Sequence, residues 1–217
     1  MNLQHIAFIA DGNRRWAKRR MLPRALGHKR GFDKMISVAD HCADLGIPFV
    51  SFFAFSTENW NREKEEIDEI FRLVRENLSK QTKHFIEKEI RVLFLGDLTP
   101  FDDDFKKSAA ECMEKTKNMT RMTLCLCVNY GGRADIIQAV KKGGADFEKH
   151  LYTNAHNIPE PDLVVRTSGE LRISNFMLWQ MAYSELKFVE TLWPDISDKI
   201  IDEIITEFDK RDRRKGK

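Results

Sequence analysis

The chain has 217 residues, with 36 lysines and arginines set against 34 aspartates and glutamates, for a formal net charge of +2. So balanced a charge excludes general affinity for nucleic acid, while a hydrophobic share of 42% with 15 phenylalanines suffices for one packed core over residues 1–217. No stretch approaches the ~20 apolar residues of a membrane-spanning helix. Asp11, Arg14 and Arg15 interrupt the only apolar run near the start, so no secretory leader is expected. The four cysteines, Cys42, Cys112, Cys125 and Cys127, have no Cys/His companions at zinc spacing. They read as core residues of a reduced, cytoplasmic protein.

Ile6 to Ala10 is a short apolar run stopped by Asp11, and it predicts a buried strand. Arg14 to Arg20 are helix formers. Asp11 then stands at the carboxyl end of a strand, and the Gly12 to Arg15 amides stand at a helix start, where an anion is favoured. A divalent cation bridging Asp11 to a phosphate would account for a carboxylate in that place. The bland alternative is a strand, turn and helix with solvated charges.

Met21 to Gly31 is a basic segment with Arg24, His28, Lys29 and Arg30 around Pro23 and Gly27. Phe32, Met35, Ile36, Ala39 and Cys42 recur at helical spacing over residues 32–45, with Gly46 at the C-terminal stop. Phe49 to Phe55 reads as a strand buried on both faces, ending in the polar segment Ser56 to Arg62. Glu63 to Ile90 is an amphipathic helix with its stripe at Ile67, Ile70, Phe71, Val74, Leu78, Phe85 and Ile86. A strand at Val92 to Leu95, a helix over residues 101–118, a strand at Met122 to Val128 and a helix over residues 134–149 follow. A strand at Leu163 to Val165, a helix from Asn175, an apolar run at Leu186 to Val189 and a last helix from Ser197 complete the chain.

Alternating strands and helices predict an α/β fold, a mostly parallel sheet flanked by helices. The strands end in Asp11, in Ser56 with Asn59, in Asp97, in Asn129 and in Arg166. Such sheets bind ligands outside the carboxyl ends of their strands, so these groups converge on one rim. Arg15, Arg24, His28, Arg62, Arg166 and Arg172 make the rim cationic, and guanidinium forks suit phosphate oxygens. Neither a phosphate-binding Gly-Lys-Ser/Thr loop nor a nucleophile paired with a base is present. Two arginine clusters, one early and one late, suit two phosphorylated groups. The Phe-rich helix and strand beneath them suit an amphiphilic substrate.

These residues also form recognisable blocks. His5-x-Ala7-x-Ile9-x-Asp11-Gly12-Asn13-Arg14-Arg15-Trp16-Ala17 resembles the first signature of the cis-prenyltransferases, specifically the undecaprenyl diphosphate synthase or isoprenyl transferase family. Arg24-Ala25-Leu26-Gly27-His28-Lys29, Phe53 to Arg62, Asn129-Tyr130-Gly131-Gly132-Arg133 and Asp162 to Phe176, with Trp179-Gln180 and Ala182-Tyr183-x-Glu185-Leu186, resemble the further blocks. They stand in family order over nearly the whole chain.

The resemblance implies repeated cis condensation of isopentenyl diphosphate onto an allylic diphosphate, usually farnesyl diphosphate. The product would be undecaprenyl diphosphate, precursor of the lipid carrier of bacterial cell-wall synthesis, or else a shorter or a longer, dolichyl-like chain. It implies magnesium, a hydrophobic tunnel and a homodimer. From the apolar product we expect loose attachment to the membrane surface, and we expect no nucleic-acid partner. Carried over by position, Asp11 is the catalytic, magnesium-binding carboxylate, and Glu185, from the partner subunit or the rim, a second metal ligand. Gly12, Asn13, Arg14, Arg15, Trp16, Arg24 and His28 would hold the allylic diphosphate. Arg166, Arg172, Ile173 and Ser174 would hold isopentenyl diphosphate. Ser56, Thr57, Glu58, Trp60 and Arg62 belong to a loop over the substrates. Asn59 matches a position described as the proton acceptor, but a neutral amide is a very weak base, and the diphosphate or Asp11 is a better sink. Arg214-Lys215-Gly216 faintly resembles an Arg-x-Gly ending that reaches a neighbouring subunit.

Overall fold

The computed structural model describes residues 2–211. Six strands form one sheet in the order β3-β4-β2-β1-β5-β6, and every neighbouring pair is parallel. They are β1 (His5–Ile9), β2 (Phe49–Ser56), β3 (Ile90–Leu95), β4 (Met122–Tyr130), β5 (Leu163–Arg166) and β6 (Glu185–Phe188). The helices are α1 (Asn13–Arg19), α2 (Arg24–Asp44), α3 (Lys64–Glu87), α4 (Asp103–Thr116), α5 (Gly132–Gly143) and α6 (Asp198–Asp209). From β1 the chain moves to one side of the sheet, and after β4 it crosses to β5 on the other side. β1 is therefore where the winding reverses, the place where a parallel sheet opens a crevice at its carboxyl edge.

All five residues of β1 are buried, as a strand covered on both faces requires. Ile6 and Phe8 join one core with Phe52, Phe71, Phe85, Trp193 and the inner faces of α2, α3, α4 and α6. Ala7 and Ile9 join a second core on the opposite face with Cys125, Cys127, Tyr130 and Phe176. All four cysteines are free and buried, and burial pushes the Cys42 and Cys125 thiols up to about 12.

Three segments differ from expectation. The basic segment expected before α2 forms its first two turns, which begin after Pro23. Gly27 and Gly31 lie inside that helix, where a Cβ at either would collide with Asn13. Helix α5 stops at Gly143, and Gly144 (φ 55) starts a run of tight turns to His150. No helix starts at Asn175: Ser174, Asn175 and Met177 have φ of 49°, 64° and 37°, outside the right-handed helical region. Those residues bond outward instead. The Gly132 N–H donates to the Asn175 carbonyl (2.6 Å) and the Arg133 N–H to Asn175 Oδ1 (2.9 Å). Phe176 stacks on Phe53 at 4.6 Å. Arg214-Lys215-Gly216 lies outside the described residues.

His5 opens β1 fully buried. Its Nδ1–H donates to the Pro159 carbonyl (2.7 Å), and Nε2 lies 2.8 Å from the Ser51 hydroxyl, which donates to it when the ring is neutral. Burial lowers its pKa to about 4. The unfolded chain takes up a proton on this ring near its ordinary value of 6.5, whereas the folded chain does so only near 4. Stability on this account therefore falls as pH drops through that window, by about 3 kcal/mol in all. In urea titrations the stability gap between wild type and His5→Gln should narrow as pH is lowered from about 7 to about 4. A gap independent of pH would show that the ring is not held neutral.

Candidate active site at the carboxyl rim of the sheet

Asp11 leaves β1 two residues past its end, and its backbone is locked from three sides. Its N–H donates to Thr167 Oγ1 (3.0 Å). Its carbonyl accepts from Thr167 Oγ1 (2.7 Å), Ser168 Oγ (2.6 Å) and the Trp193 N–H (3.0 Å). Gly12 then turns the chain with φ 115, a conformation other residues rarely adopt. A Cβ there would collide with Ser168 Oγ.

The Asp11 carboxylate faces two guanidinium groups, Arg166 at 3.1 Å and Arg15 at 3.4 Å. Arg166 ends β5 and is only 5% exposed. Its fork also donates to Ser174 Oγ (2.6 Å) and to the Arg172 carbonyl. Arg15 bonds the Ser168 carbonyl (3.0 Å) and Glu170 (3.1 Å), and Arg172 pairs with the same Glu170 (2.6 Å). These contacts order one cationic group around Asp11, Arg15, Arg166, Arg172 and Ser174.

A second cationic group surrounds Glu66, a buried carboxylate in the first turn of α3. Arg14 (3.8 Å), Arg24 (3.7 Å), His28 (3.1 Å) and Arg62 (3.3 Å) converge on it. Burial lowers the pKa of His28 and of Arg62, and Glu66 opposes both shifts. Asn59 closes a reciprocal cap with Ser56, its Oδ1 accepting the Ser56 N–H at 3.1 Å. Asn13 packs against Gly31, and its Oδ1 is buried without a partner among the described residues.

One cavity of about 600 Å³ joins these groups. Asp11, Gly12, Asn13, Arg14, Arg15, His28, Ser56, Asn59, Arg62, Arg166, Arg172 and Ser174 line its polar part. Phe52, Phe53, Ile70, Leu73, Val74 and Phe94 are among the apolar side chains beneath. The expected convergence of strand ends thus holds for Asp11, Ser56, Asn59 and Arg166.

Other expected residues lie outside the cavity. Trp16 donates to Asp195 (2.7 Å) with Arg20 over its ring, and Arg24 reaches Glu63 (2.6 Å). Glu58 accepts from Asn175 (2.8 Å), and Thr57 lies against Gly131. Ile173 packs at the second core. Trp60 donates to Asn129 (2.8 Å), which itself bonds the Asp97 carbonyl (2.7 Å), so that pair anchors a loop. Glu185 is not brought to Asp11. It pairs with Leu163 at the amino end of β6, three residues and roughly 10 Å short of the rim, and its carboxylate meets Arg211 at 3.0 Å.

Glu66 and Glu170 were not among the expected site residues. The sequence signal for Glu66 is its place four residues before Ile70 and seven before Leu73, on the edge of the apolar stripe.

The chemistry of the donor set suits magnesium. Among the described residues no group of three or more His, Cys, Asp or Glu is arranged to hold a metal ion. Magnesium is commonly held by one or two carboxylates with substrate phosphates and waters, and Asp11, half-buried and facing the cavity, offers that single hard ligand. Helix α1 has seven residues, so its dipole is small and the arginines are the main attraction for anions.

Residues 9–216 match the model of a protein family described as undecaprenyl diphosphate synthase. An isoprenyl transferase of Neisseria meningitidis serogroup A is 44% identical over 221 residues, which cover 99% of this chain and 89% of that protein. The (2E,6E)-farnesyl-diphosphate-specific ditrans,polycis-undecaprenyl-diphosphate synthase of Micrococcus luteus is 39% identical over 98% of this chain and 91% of its own. Among solved structures, lavandulyl diphosphate synthase from Lavandula x intermedia, in complex with dimethylallyl diphosphate, superposes with a TM-score of 0.94. It is 30% identical, over 99% of this chain and 98% of that one.

Arg166 bridges three acceptors with one planar fork, which an ammonium group does not reproduce. Losing one or two charge-assisted hydrogen bonds, each about 1.5–3 kcal/mol, should weaken inorganic pyrophosphate binding about 10- to 100-fold in Arg166→Lys, read by titration calorimetry. Unchanged affinity would remove Arg166 from the anion site.

Proposed function

The chain belongs to the undecaprenyl diphosphate synthase family of isoprenyl transferases, and from that premise we propose that it elongates farnesyl diphosphate by repeated cis condensation with isopentenyl diphosphate. The product in this reading is undecaprenyl diphosphate, precursor of the bacterial cell-wall lipid carrier. The observation that carries the reading is two cationic groups flanking Asp11 over one apolar cavity.

Arg14, Arg15 and His28, with the amides from Gly12 onward, hold the allylic diphosphate. Arg166, Arg172 and Ser174 hold isopentenyl diphosphate, and Arg62 lies beside both. Fixed cations placed where negative charge grows lower the barrier to departure of the diphosphate. Asp11 would hold magnesium, which would supply further neutralisation of that charge. The isopentenyl double bond supplies the electron pair for the new C–C bond as the allylic C–O bond breaks. A proton then leaves the isopentenyl unit. Asn59 Oδ1 is occupied by the Ser56 N–H, which favours a positioning role for its free NH₂ and a diphosphate oxygen as the proton's destination.

At about 30 Å³ per non-hydrogen atom, close to a water's share of liquid, 600 Å³ holds about 20 atoms. That matches the primer. A fully grown chain needs the tunnel to lengthen, and Ile70, Leu73 and Val74 of α3 are the side chains that must yield. The same size favours a second reading, a short product from the same chemistry.

A homodimer suits the exposed apolar side chains of Tyr183 and of Leu186 on edge strand β6. Among the described residues no helix is long and apolar enough to cross a membrane, and we propose loose surface attachment of the product-bound protein.

Incubation with labelled isopentenyl diphosphate, farnesyl diphosphate and magnesium should give a product ladder that a chelator abolishes. Its longest major band decides between the two product lengths. Asp11→Ala should lower turnover by about 10²–10³ or more, the scale of removing a preorganised charge at a reacting centre. Undiminished turnover in that variant would overturn the role of Asp11.

A further inference from the structure

The elbow between α1 and α2 is not used by this chemistry. Residues 18–24 are all exposed, and Met21 at its tip is 94% exposed, with Leu22 at 38% and Leu26 at 44%. Met21 has φ 54, a left-handed conformation that is strained for a side chain of its kind. So exposed a side chain gains little packing in the folded chain. From Gly12 to Phe32 there is no acidic residue, while eight lysines and arginines occur. That excess is larger than the net charge of the whole protein. Some of these cations have partners elsewhere: Arg20 with Asp195, Arg24 with Glu63 and Lys29 with Asp33. Lys18, Arg19 and Arg30 form no ion pair among the described residues and face solvent.

We propose that this elbow is a docking surface for a lipid bilayer bearing anionic headgroups. Met21, Leu22 and Leu26 enter the apolar boundary, while Lys18, Arg19 and Arg30 meet the headgroups. The pairing of an apolar tip with a cationic collar is what interfacial binding needs, and each added cation strengthens attachment to an anionic surface. An acidic protein face would meet the cations but offer no apolar layer for Met21. The position has a consequence for the cavity. Arg14 and Arg15 on one side of the elbow, and His28, Gly31, Phe32 and Met35 on the other, all line it. A bilayer at the elbow thus adjoins elements that line the cavity, and delivery of an apolar product to that bilayer is the purpose we assign to it. That purpose rests on the polyprenyl product proposed above; the surface itself rests on the exposed side chains.

The test is co-sedimentation of the full chain with phosphatidylcholine vesicles, with and without phosphatidylglycerol. Wild type should partition onto the phosphatidylglycerol vesicles, and added salt should release it. Met21→Ser/Leu22→Ser and, separately, Lys18→Gln/Arg19→Gln should each lower partitioning about 10-fold, with turnover of water-soluble substrates unchanged. Failure of wild type to bind, or equal binding by the variants, would overturn the proposal. So would loss of self-association in Met21→Ser/Leu22→Ser by sedimentation equilibrium, which would assign the elbow to a second copy. Elbow-dependent vesicle binding by a protein that makes no polyprenyl ladder would uphold the surface and refute the product.

Discussion

The Asp11 main chain is the joint on which the site depends. One carbonyl receives Thr167 Oγ1, Ser168 Oγ and the Trp193 N–H, and the adjacent amide returns a bond to Thr167. These bonds tie the end of β1 to the loop after β5 and to the turn after β6. Because β1 and β5 are already in register, with Ile9 beside Arg166, the joint places the Asp11 carboxylate against the Arg166 fork without a flexible intermediary. Gly12 belongs to the same constraint, since a side chain there would force Ser168 away from the carbonyl. The Asp-Gly pair is thus as much a structural requirement as a chemical one.

Charge is handled by a second device. Three guanidinium groups and an imidazole collected in one place would repel each other if all were charged, and burial makes an unpaired charge costly. Glu66 meets that cost within the protein, since it lies within 4 Å of Arg14, Arg24, His28 and Arg62. Glu66 offsets only one of the three guanidinium charges, so the cluster stays net positive and still attracts an anion. The guanidinium groups are held near their working positions, which reduces the ordering that binding must impose. Glu170 does the same for Arg15 and Arg172.

The sequence was most legible where one physical signal dominates. Continuous apolar runs ending in Asp11, Ser56 and Arg166 marked buried parallel strands, and their parallel order alone brought those ends to one rim. It was least legible where tertiary contacts override local preference. The segment Met21 to Gly31 reads only as basic, yet from Arg24 it is the start of α2, where Gly27 and Gly31 leave room for Asn13. Asn175 looked like a helix start, but left-handed backbone and bonds to Gly132 and Arg133 hold the segment as turns. Glu66 was not singled out, since nothing local shows that side chains from α1, α2 and the loop before α3 converge on it. Trp16 and Trp60 stand in motif blocks, but their indoles serve Asp195 and Asn129. A motif preserves residues that hold a loop as well as residues that line the cavity.

That last distinction links the apolar and polar halves of the site. Trp60 lies between Phe55 (5.2 Å), Phe71 (5.7 Å) and Phe101 (5.5 Å), so the short turn carrying Asn59 is packed against the start of α3. The same stretch of α3 carries Glu66, which holds Arg62, and continues into Ile70, Leu73 and Val74, which wall the cavity. An apolar tail pressing on that wall pushes on the helix that fixes the turn and its arginine. Packed interiors transmit such displacements because they contain little void to absorb them. One helix thus borders both the apolar part of the cavity and the cluster around Glu66. Asn129 ties the turn to the segment after β3, since its amide oxygen accepts from Trp60 and its NH₂ donates to the Asp97 carbonyl.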